Sequence, residues 1–171
     1  MQVCLFDNSS HDGLAQAFIE LHQHYFGESA PTAEAIRENL KNDILGPGST
    51  TRVVVAMEAE HVAGLATFAI LYPAPGARGQ LFMKDLYVRN PWRDRGVGER
   101  IMGFLARYAV SNNCVRFDWT TETGNAGAIH FYKRLGATHV QEKVYFRLSG
   151  EELVAFASNS QDHSAREQGD A

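Results

Sequence analysis

The spacing of hydrophobic residues divides the chain into stretches with a helical period and stretches with a strand-like pattern. Apolar side chains recur every three or four positions from Leu14 to Tyr25, from Ile36 to Ile44 and from Ile101 to Ala109, which is typical of amphipathic helices. Runs of β-branched, aromatic and aliphatic residues between turn residues predict strands. The predicted strands cover residues 2–6, 51–59, 62–72, 81–88, 115–121 and 139–148.

Capping and turn residues set the expected ends of the N-terminal elements. Residues 8–12 and Thr32 offer side-chain oxygens that can cap the first two helices, and Gly27 can end the first of them. Residues 73–79 contain two prolines, which remove backbone donors and interrupt a strand. We therefore expect this segment to be a loop.

Similar signals place the C-terminal elements. Asn125 can cap a short helix that ends at Gly136. The sequence Ser-Gly-Glu-Glu at 149–152 has the form of a capping box and predicts a helix over residues 153–157. From residue 159 onward the chain is polar, so we expect a mobile tail over 159–171.

The order of these elements predicts an α+β domain with a mixed, mostly antiparallel sheet and helices on both faces. The strands at 81–88 and 115–121 are separated by a helix, so they should be parallel with a right-handed crossover. The length of 171 residues suits one domain. We expect that domain to span residues 1–158.

The turn before the third long helix carries the strongest chemical signal. Its two glycines allow the backbone to approach a ligand, and the helix start supplies unpaired N–H groups and the positive end of the helix dipole. These features make a cradle for a phosphate or pyrophosphate. The turn lacks the third glycine of a dinucleotide fingerprint and the Gly-Lys-Ser/Thr of a P-loop, and an ordinary glycine turn is the alternative. It reads Arg93, Asp94, Arg95, Gly96, Val97, Gly98 and then Glu99.

A second motif follows the next predicted strand, with Asn125, Ala128, Phe131, Tyr132 and Gly136 at the spacing Asn-x-x-Ala-x-x-Phe-Tyr-x-x-x-Gly. Together the two motifs resemble the GNAT superfamily of acetyl-CoA-dependent N-acetyltransferases. The family pattern is Arg/Gln-x-x-Gly-x-Gly/Ala, followed by Asn-x-x-Ala-x-x-Phe-Tyr-x-x-x-Gly. The resemblance is specific over about a third of the chain. The matching residues are Arg93, Gly96, Gly98, Asn125, Ala128, Phe131, Tyr132 and Gly136.

This resemblance implies acetyl-CoA as co-substrate and a fold in which the parallel strands splay apart around the pantetheine arm. It also implies that the turn from Arg93 to Glu99 holds the pyrophosphate and that Asn125 and Ala128 contact the cofactor. The backbone of Leu86, Tyr87 and Val88 would face the thioester and pantetheine. Tyr132 matches the family's general acid, because a phenol can protonate a departing thiolate.

The general base is less clear because the chain departs from the polyamine-acetylating branch that its central strand otherwise resembles. That branch has a glutamate before the aspartate, whereas this chain has Lys84 before Asp85. Asp85 and Glu122 are both candidates for amine recognition or proton removal, and removal by water is a further alternative. Polyamine specificity is therefore in doubt.

Composition limits the remaining possibilities. The net charge of −4 argues weakly against nucleic acid and fits a cationic substrate. No apolar run is long enough for a membrane span, and the start does not resemble a signal peptide. Cys4 and Cys114 are expected to be buried thiols rather than a disulfide, which suits a reducing compartment. These observations together predict a cytoplasmic protein. His22 and His24 do not share a helix face, so no metal site is predicted.

Among possible functions, acetylation of a small primary amine, such as a polyamine, an amino acid or a related compound, ranks first. Acetylation of a protein amine, a CoA sensor without catalysis and a nucleotide-binding regulatory domain are the alternatives. Tyr25, Phe26 and Glu28 are candidates for a rim around the acceptor amine. The family resemblance also implies a homodimer.

Overall fold

A computed structural model describes residues 1–7 and 11–167 of the chain. The chain divides into two units, Met1–Ile129 and His130–Ala171. The first unit holds the β-sheet, and the second holds the C-terminal helix. The expected caps at positions 8–10 lie outside the described residues, and the single domain over 1–158 stays a prediction.

Within the described residues, five strands form one sheet in the order β1-β2-β3-β4-β5. Neighbouring strands are antiparallel from β1 to β4, and β4 and β5 are parallel. The predicted α+β fold with a mostly antiparallel sheet is confirmed. The strands are β1 (Gln2–Leu5), β2 (Arg52–Glu58), β3 (His61–Ala74), β4 (Arg78–Val88) and β5 (Cys114–Trp119).

Helices connect the strands largely where the hydrophobic period predicts them. Gly27 follows the first helix with φ of 54°, and the Thr32 hydroxyl accepts a hydrogen bond from Ala35 N–H at 3.2 Å, so both predicted helix ends are confirmed. A π-helical turn, Leu40–Ile44, extends the second helix. The helices are α1 (His11–Phe26), α2 (Ala33–Asn39), α3 (Val97–Ser111), α4 (Ala126–Arg134) and α5 (Gly150–Glu167).

Helices cover both faces of the sheet in the first unit. Buried residues of α1 and α2 form one cluster with side chains of β2, β3 and β4, including Leu65 and Tyr87. Successive residues of a strand point to opposite faces, so Gly64 should face the other side. A Cβ on Gly64 would lie 3.3 Å from both Val97 and Ile101, which places α3 on that opposite face.

The structure corrects the loop predicted at residues 73–79. Strand β3 continues through Pro73 to Ala74, and β4 already begins at Arg78. The ladder between the two strands is irregular between Leu71 and Ala74. A proline is tolerated at such an irregularity because its missing N–H is not required for pairing.

The C-terminal segment also differs from expectation. Residues 139–148 form no strand in the described chain, and Val144 and Phe146 are exposed. Their hydrophobic pattern suits a strand, but a strand requires a partner backbone and these residues join no ladder. Helix α5 extends to Glu167, well beyond the predicted 153–157, while mobility of the tail stays a prediction and residues 168–171 lie outside the described chain.

Candidate active site

The parallel pair of strands separates before β4 ends. The last paired residues are Met83 of β4 and Trp119 of β5, and Trp119 is also the last residue of β5. Strand β4 continues to Val88. The final stretch of β4, residues 84–88, therefore has β3 on one side and a gap on the other, as the family resemblance implies.

The backbone of Leu86 and Val88 faces this gap. Arg89 N–H donates to Ala63 O of β3 at 3.0 Å, which makes Arg89 a hydrogen-bonded position of the antiparallel ladder. Because such positions alternate along an antiparallel strand, the backbone groups of Leu86 and Val88 point away from β3. They lie where the pantetheine contacts are predicted, and the Val88 carbonyl there already accepts a hydrogen bond from Arg93 Nε.

The glycine turn follows the gap directly. Asp94 and Gly96 have φ of 58° and 74°, and Gly96 is the residue that precedes α3. A Cβ on Gly96 would meet nothing within 4 Å, so the outer side of the turn is open. The first helical bond of α3 runs from Arg100 N–H to Gly96 O, which leaves the N–H groups of residues 97–99 without an acceptor inside the helix.

Side chains fix this turn on both sides. Arg93 Nε donates to Val88 O at 3.0 Å, and Trp92 Nε1 donates to Glu58 of β2 at 2.6 Å. Arg95 also lies 3.5 Å from Glu58. Open backbone N–H groups in a held turn fit a pyrophosphate. The Arg95 side chain pairs with Glu58, so the backbone is the more available anion-binding group.

A cleft of about 220 Å³ lies beside the same end of β4. Lys84 and Asp85 line it together with Thr67, which is only 2% exposed. The Thr67 hydroxyl donates to Asp85 Oδ2 at 2.7 Å, and Lys84 Nζ lies 3.8 Å from Asp85 Oδ1. Burial raises the pKa of Tyr25, and the Asp85 charge raises it further. The charge of Asp85 therefore acts on Tyr25, one of the three residues predicted to form the acceptor rim.

An ion pair fastens α1 to the end of β4. Glu20 accepts from Arg89 NH2 at 2.7 Å and from Arg89 Nε at 2.9 Å, while Arg89 NH1 donates to Val62 O at 3.2 Å. The hydrogen bond from Arg89 holds the pKa of Glu20 below its ordinary value, against the opposing effect of burial. Burial raises the pKa of Tyr87, and the Glu20 charge adds to that rise.

The second motif begins as predicted. Asn125 Oδ1 accepts a hydrogen bond from Ala128 N–H at 3.0 Å, which confirms Asn125 as the cap of α4. Glu122 is exposed in the loop before it, and its role as a base stays a prediction. Tyr132 lies on α4 in the second unit, with its ring 5.2 Å from that of Phe131. Its role as general acid likewise stays a prediction.

Several structural features were not predicted from sequence. The Glu20–Arg89 pair joins residues far apart in the chain. Nothing in the sequence indicated that Glu58 would contact Trp92 and Arg95. Cys4 and Cys114 are both free thiols; Cys114 is buried as expected, whereas Cys4 is only partly buried. Among the residues described, no group of three or more His, Cys, Asp or Glu side chains could hold a metal ion. None of the described helices combines the length and apolar character needed to cross a membrane.

Comparison with known proteins identifies relatives over most of the chain. Residues 15–137 match the model of the acetyltransferase (GNAT) family. The L-ornithine N5-acetyltransferase NATA1 of Arabidopsis thaliana is 33% identical over 94 residues, which are 55% of this chain and 41% of that protein. The chain thus aligns with less than half of that relative's length. The thialysine N-epsilon-acetyltransferase of Mus musculus is 26% identical over 80% of this chain and 81% of its own.

A solved structure is similar over nearly the whole chain. It is an integron cassette protein from the mobile metagenome of V. cholerae, with 37% identity and a TM-score of 0.87. The match covers 91% of this chain and 96% of the other. A structure of an aminoglycoside acetyltransferase from a soil metagenome has a TM-score of 0.69 at 16% identity, which shows a shared fold only.

Proposed function

The chain belongs to the GNAT acetyltransferase family, and from that premise we propose that it transfers an acetyl group from acetyl-CoA to a primary amine of a small molecule. The acceptor is a polyamine, an amino acid or a related amine, whose nitrogen attacks the thioester carbonyl directly while both substrates are bound, so that the C–S bond breaks and CoA leaves. The observation that carries this proposal is the gap beside residues 84–88, which leads to the open glycine turn. The two relatives named above are called ornithine and thialysine acetyltransferases.

Each substrate has its own part of this region. Acetyl-CoA supplies the activated acetyl group as a thioester. The backbone of Leu86 and Val88 holds its pantetheine end, and the N–H groups of residues 97–99 hold the pyrophosphate, with Asn125 and Ala128 adding contacts. Such positioning supplies several kcal/mol of the barrier by orienting the reactants.

The acceptor side of the site is the cleft at Asp85. Its Oδ2 is engaged by Thr67, so the carboxylate has a fixed orientation toward the cleft. We assign Asp85 to recognition of an ammonium group of the acceptor. Proton removal from the reacting amine falls to Asp85, Glu122 or water, and Tyr132 protonates the thiolate.

The test is release of CoA from acetyl-CoA in the presence of polyamines, diamino acids, aminoglycosides and short peptides. We expect turnover with a small amine, and loss of about 10²-fold or more in Tyr132→Phe. Tyr145→Phe is the matched control, because Tyr145 is exposed and outside both motifs. Asp85→Asn should raise KM for the amine more than it lowers kcat.

Other outcomes would change the conclusion. Binding of acetyl-CoA without turnover of any amine would favour a sensor, and turnover of peptides alone would favour a protein acetyltransferase. Failure to bind CoA would overturn the proposal. The homodimer and the cytoplasmic location also stay predictions; sedimentation of the purified protein tests the first.

A further inference from the structure

The ladder between β3 and β4 contains a β-bulge at Lys84. Thr67 is opposite Asp85, yet the next residue of β3, Phe68, is opposite Met83. One step along β3 therefore corresponds to two steps along β4. Lys84 is the extra residue, without an opposite partner on β3.

The bulge explains why two neighbouring side chains reach the same cleft. In a regular strand Lys84 and Asp85 would point to opposite faces of the sheet. A bulge breaks this alternation and redirects a side chain. Accordingly both residues line the cleft, and Lys84 Nζ lies 3.8 Å from Asp85 Oδ1. The cleft thus presents a cation and an anion next to each other.

The two charges are held to different extents. Asp85 is 23% exposed and bonded to buried Thr67, whereas the Lys84 side chain is 78% exposed. An ion pair with one partner this exposed contributes little stability. The Lys84 ammonium can therefore exchange Asp85 for a substrate anion at little cost, while Asp85 stays in place for a substrate cation.

We infer that Lys84 is a specificity-determining residue that selects an acceptor carrying a carboxylate beside an ammonium group, which is an amino acid with a second amine rather than a simple diamine or polyamine. The acceptor's carboxylate pairs with Lys84 and its α-ammonium with Asp85. The second amine is then left to react. This inference rests on the proposed acetyl transfer and adds the class of acceptor.

The geometry along β4 agrees with this arrangement. Residues of a strand advance about 3.3 Å each, so the backbone of Leu86 and Val88 lies within about 10 Å of Asp85. A diamino acid with a side chain of three or four carbons spans a comparable distance. Its far amine can reach the end of β4 while its α-carbon groups stay at the charge pair.

The experiment compares acceptors that differ only in the carboxylate. Acetylation of ornithine and putrescine, and of lysine and cadaverine, is measured as CoA release in the wild type, Lys84→Ala and Lys84→Glu. We expect the wild type to favour each amino acid over its diamine in kcat/KM. Lys84→Ala should lower that preference about fivefold, mainly through KM of the amino acid. Lys84→Glu should lower it more than about tenfold, because the new charge repels the carboxylate.

Lys143→Ala is the control, because Lys143 is exposed and lies outside both motifs. Its preference should equal that of the wild type. If the wild type acetylates diamines as well as amino acids, or if both Lys84 variants keep the wild-type preference, the inference about Lys84 is overturned while the acetyltransferase activity stands. If the wild type acetylates no amine, the proposed function falls and this inference falls with it.

Discussion

The bond between Glu20 and Arg89 offers a direct test of how α1 is held against β4. Glu20→Gln keeps the size of the side chain but removes its charge and one of its two acceptor oxygens. Both Glu20 oxygens now accept from Arg89, at 2.7 and 2.9 Å. The variant therefore breaks a bidentate, charge-assisted contact without opening a cavity.

The expected loss of stability follows from these contacts. A hydrogen bond to a charged group contributes about 1.5–3 kcal/mol to stability. A buried group that loses its hydrogen-bond partner also destabilises the folded state, because it is no longer solvated by water. The two side chains are 17% and 25% exposed, so solvent screens part of this contribution. We therefore expect the free energy of unfolding to fall by about 2 kcal/mol. For a chain of this size that corresponds to a lower Tm by about 4–8 °C.

The pH dependence supplies a second check. Hydrogen bonding from Arg89 lowers the pKa of Glu20 below its ordinary value in the folded protein. A carboxyl group with a lowered folded-state pKa stabilises the protein fully above its unfolded-state pKa, and this contribution is lost as pH falls through the folded-state value. The stability difference between wild type and variant should thus be constant near neutral pH and shrink below about pH 4.5.

Urea denaturation at several pH values measures both effects. Glu38→Gln on α2 is the matched control, because Glu38 is exposed and its replacement should change stability by less than about 0.5 kcal/mol. The reasoning is refuted if Glu20→Gln unfolds with the wild-type free energy at neutral pH. It is also refuted if the difference stays the same on acidification.

Three further variants test the packing beside α3, the glycine turn and the cap of α4. In Gly64→Ala the new Cβ would lie 2.8 Å from Tyr87 O, so we expect the free energy of unfolding to fall by about 1–3 kcal/mol and CoA to bind more weakly by calorimetry. Wild-type affinity and stability would contradict this. Gly96→Ala has space for its Cβ, but its φ of 74° lies in the left-handed region, which alanine adopts only with strain. Urea denaturation should therefore show a free energy of unfolding lower by only about 1–2 kcal/mol, and an unchanged value would argue against this strain. Asn125→Ala removes the bond to Ala128 N–H and should cost about 0.5–2 kcal/mol, with faster hydrogen exchange in α4; Asn125→Ser should restore protection, and equal exchange in all three proteins would reject the cap.

Local sequence signals predicted the elements whose determinants are themselves local. Thr32 and Asn125 cap helices through oxygens that lie three residues from their donors, and such contacts are visible in the sequence. The helical period from Ile101 to Ala109 marks residues that are buried in α3. The parallel pairing of β4 and β5 followed from the helix between them.

Features that depend on distant parts of the chain could not be predicted in the same way. The bulge at Lys84 exists only relative to the register of β3, and residues 81–88 by themselves show a continuous strand. The partners Glu20 and Arg89 are 69 residues apart, and many carboxylates in the sequence would serve equally well. Residues 139–148 have a strand's composition, but the composition does not provide a partner strand.

In the function that we propose, the acceptor and the thioester share the end of β4, where strand geometry separates side chains from backbone groups. Side chains stand roughly perpendicular to a sheet, whereas N–H and C=O groups point within its plane. Asp85 and Lys84 therefore present charges to the cleft on one face, while Leu86 and Val88 offer backbone groups to the gap at the edge. An acceptor bound in the cleft and a thioester bound in the gap would meet at the same few residues without competing for the same contacts. That arrangement would suit the direct attack within a ternary complex that we propose, in which the amine reacts with the thioester without a covalent enzyme intermediate.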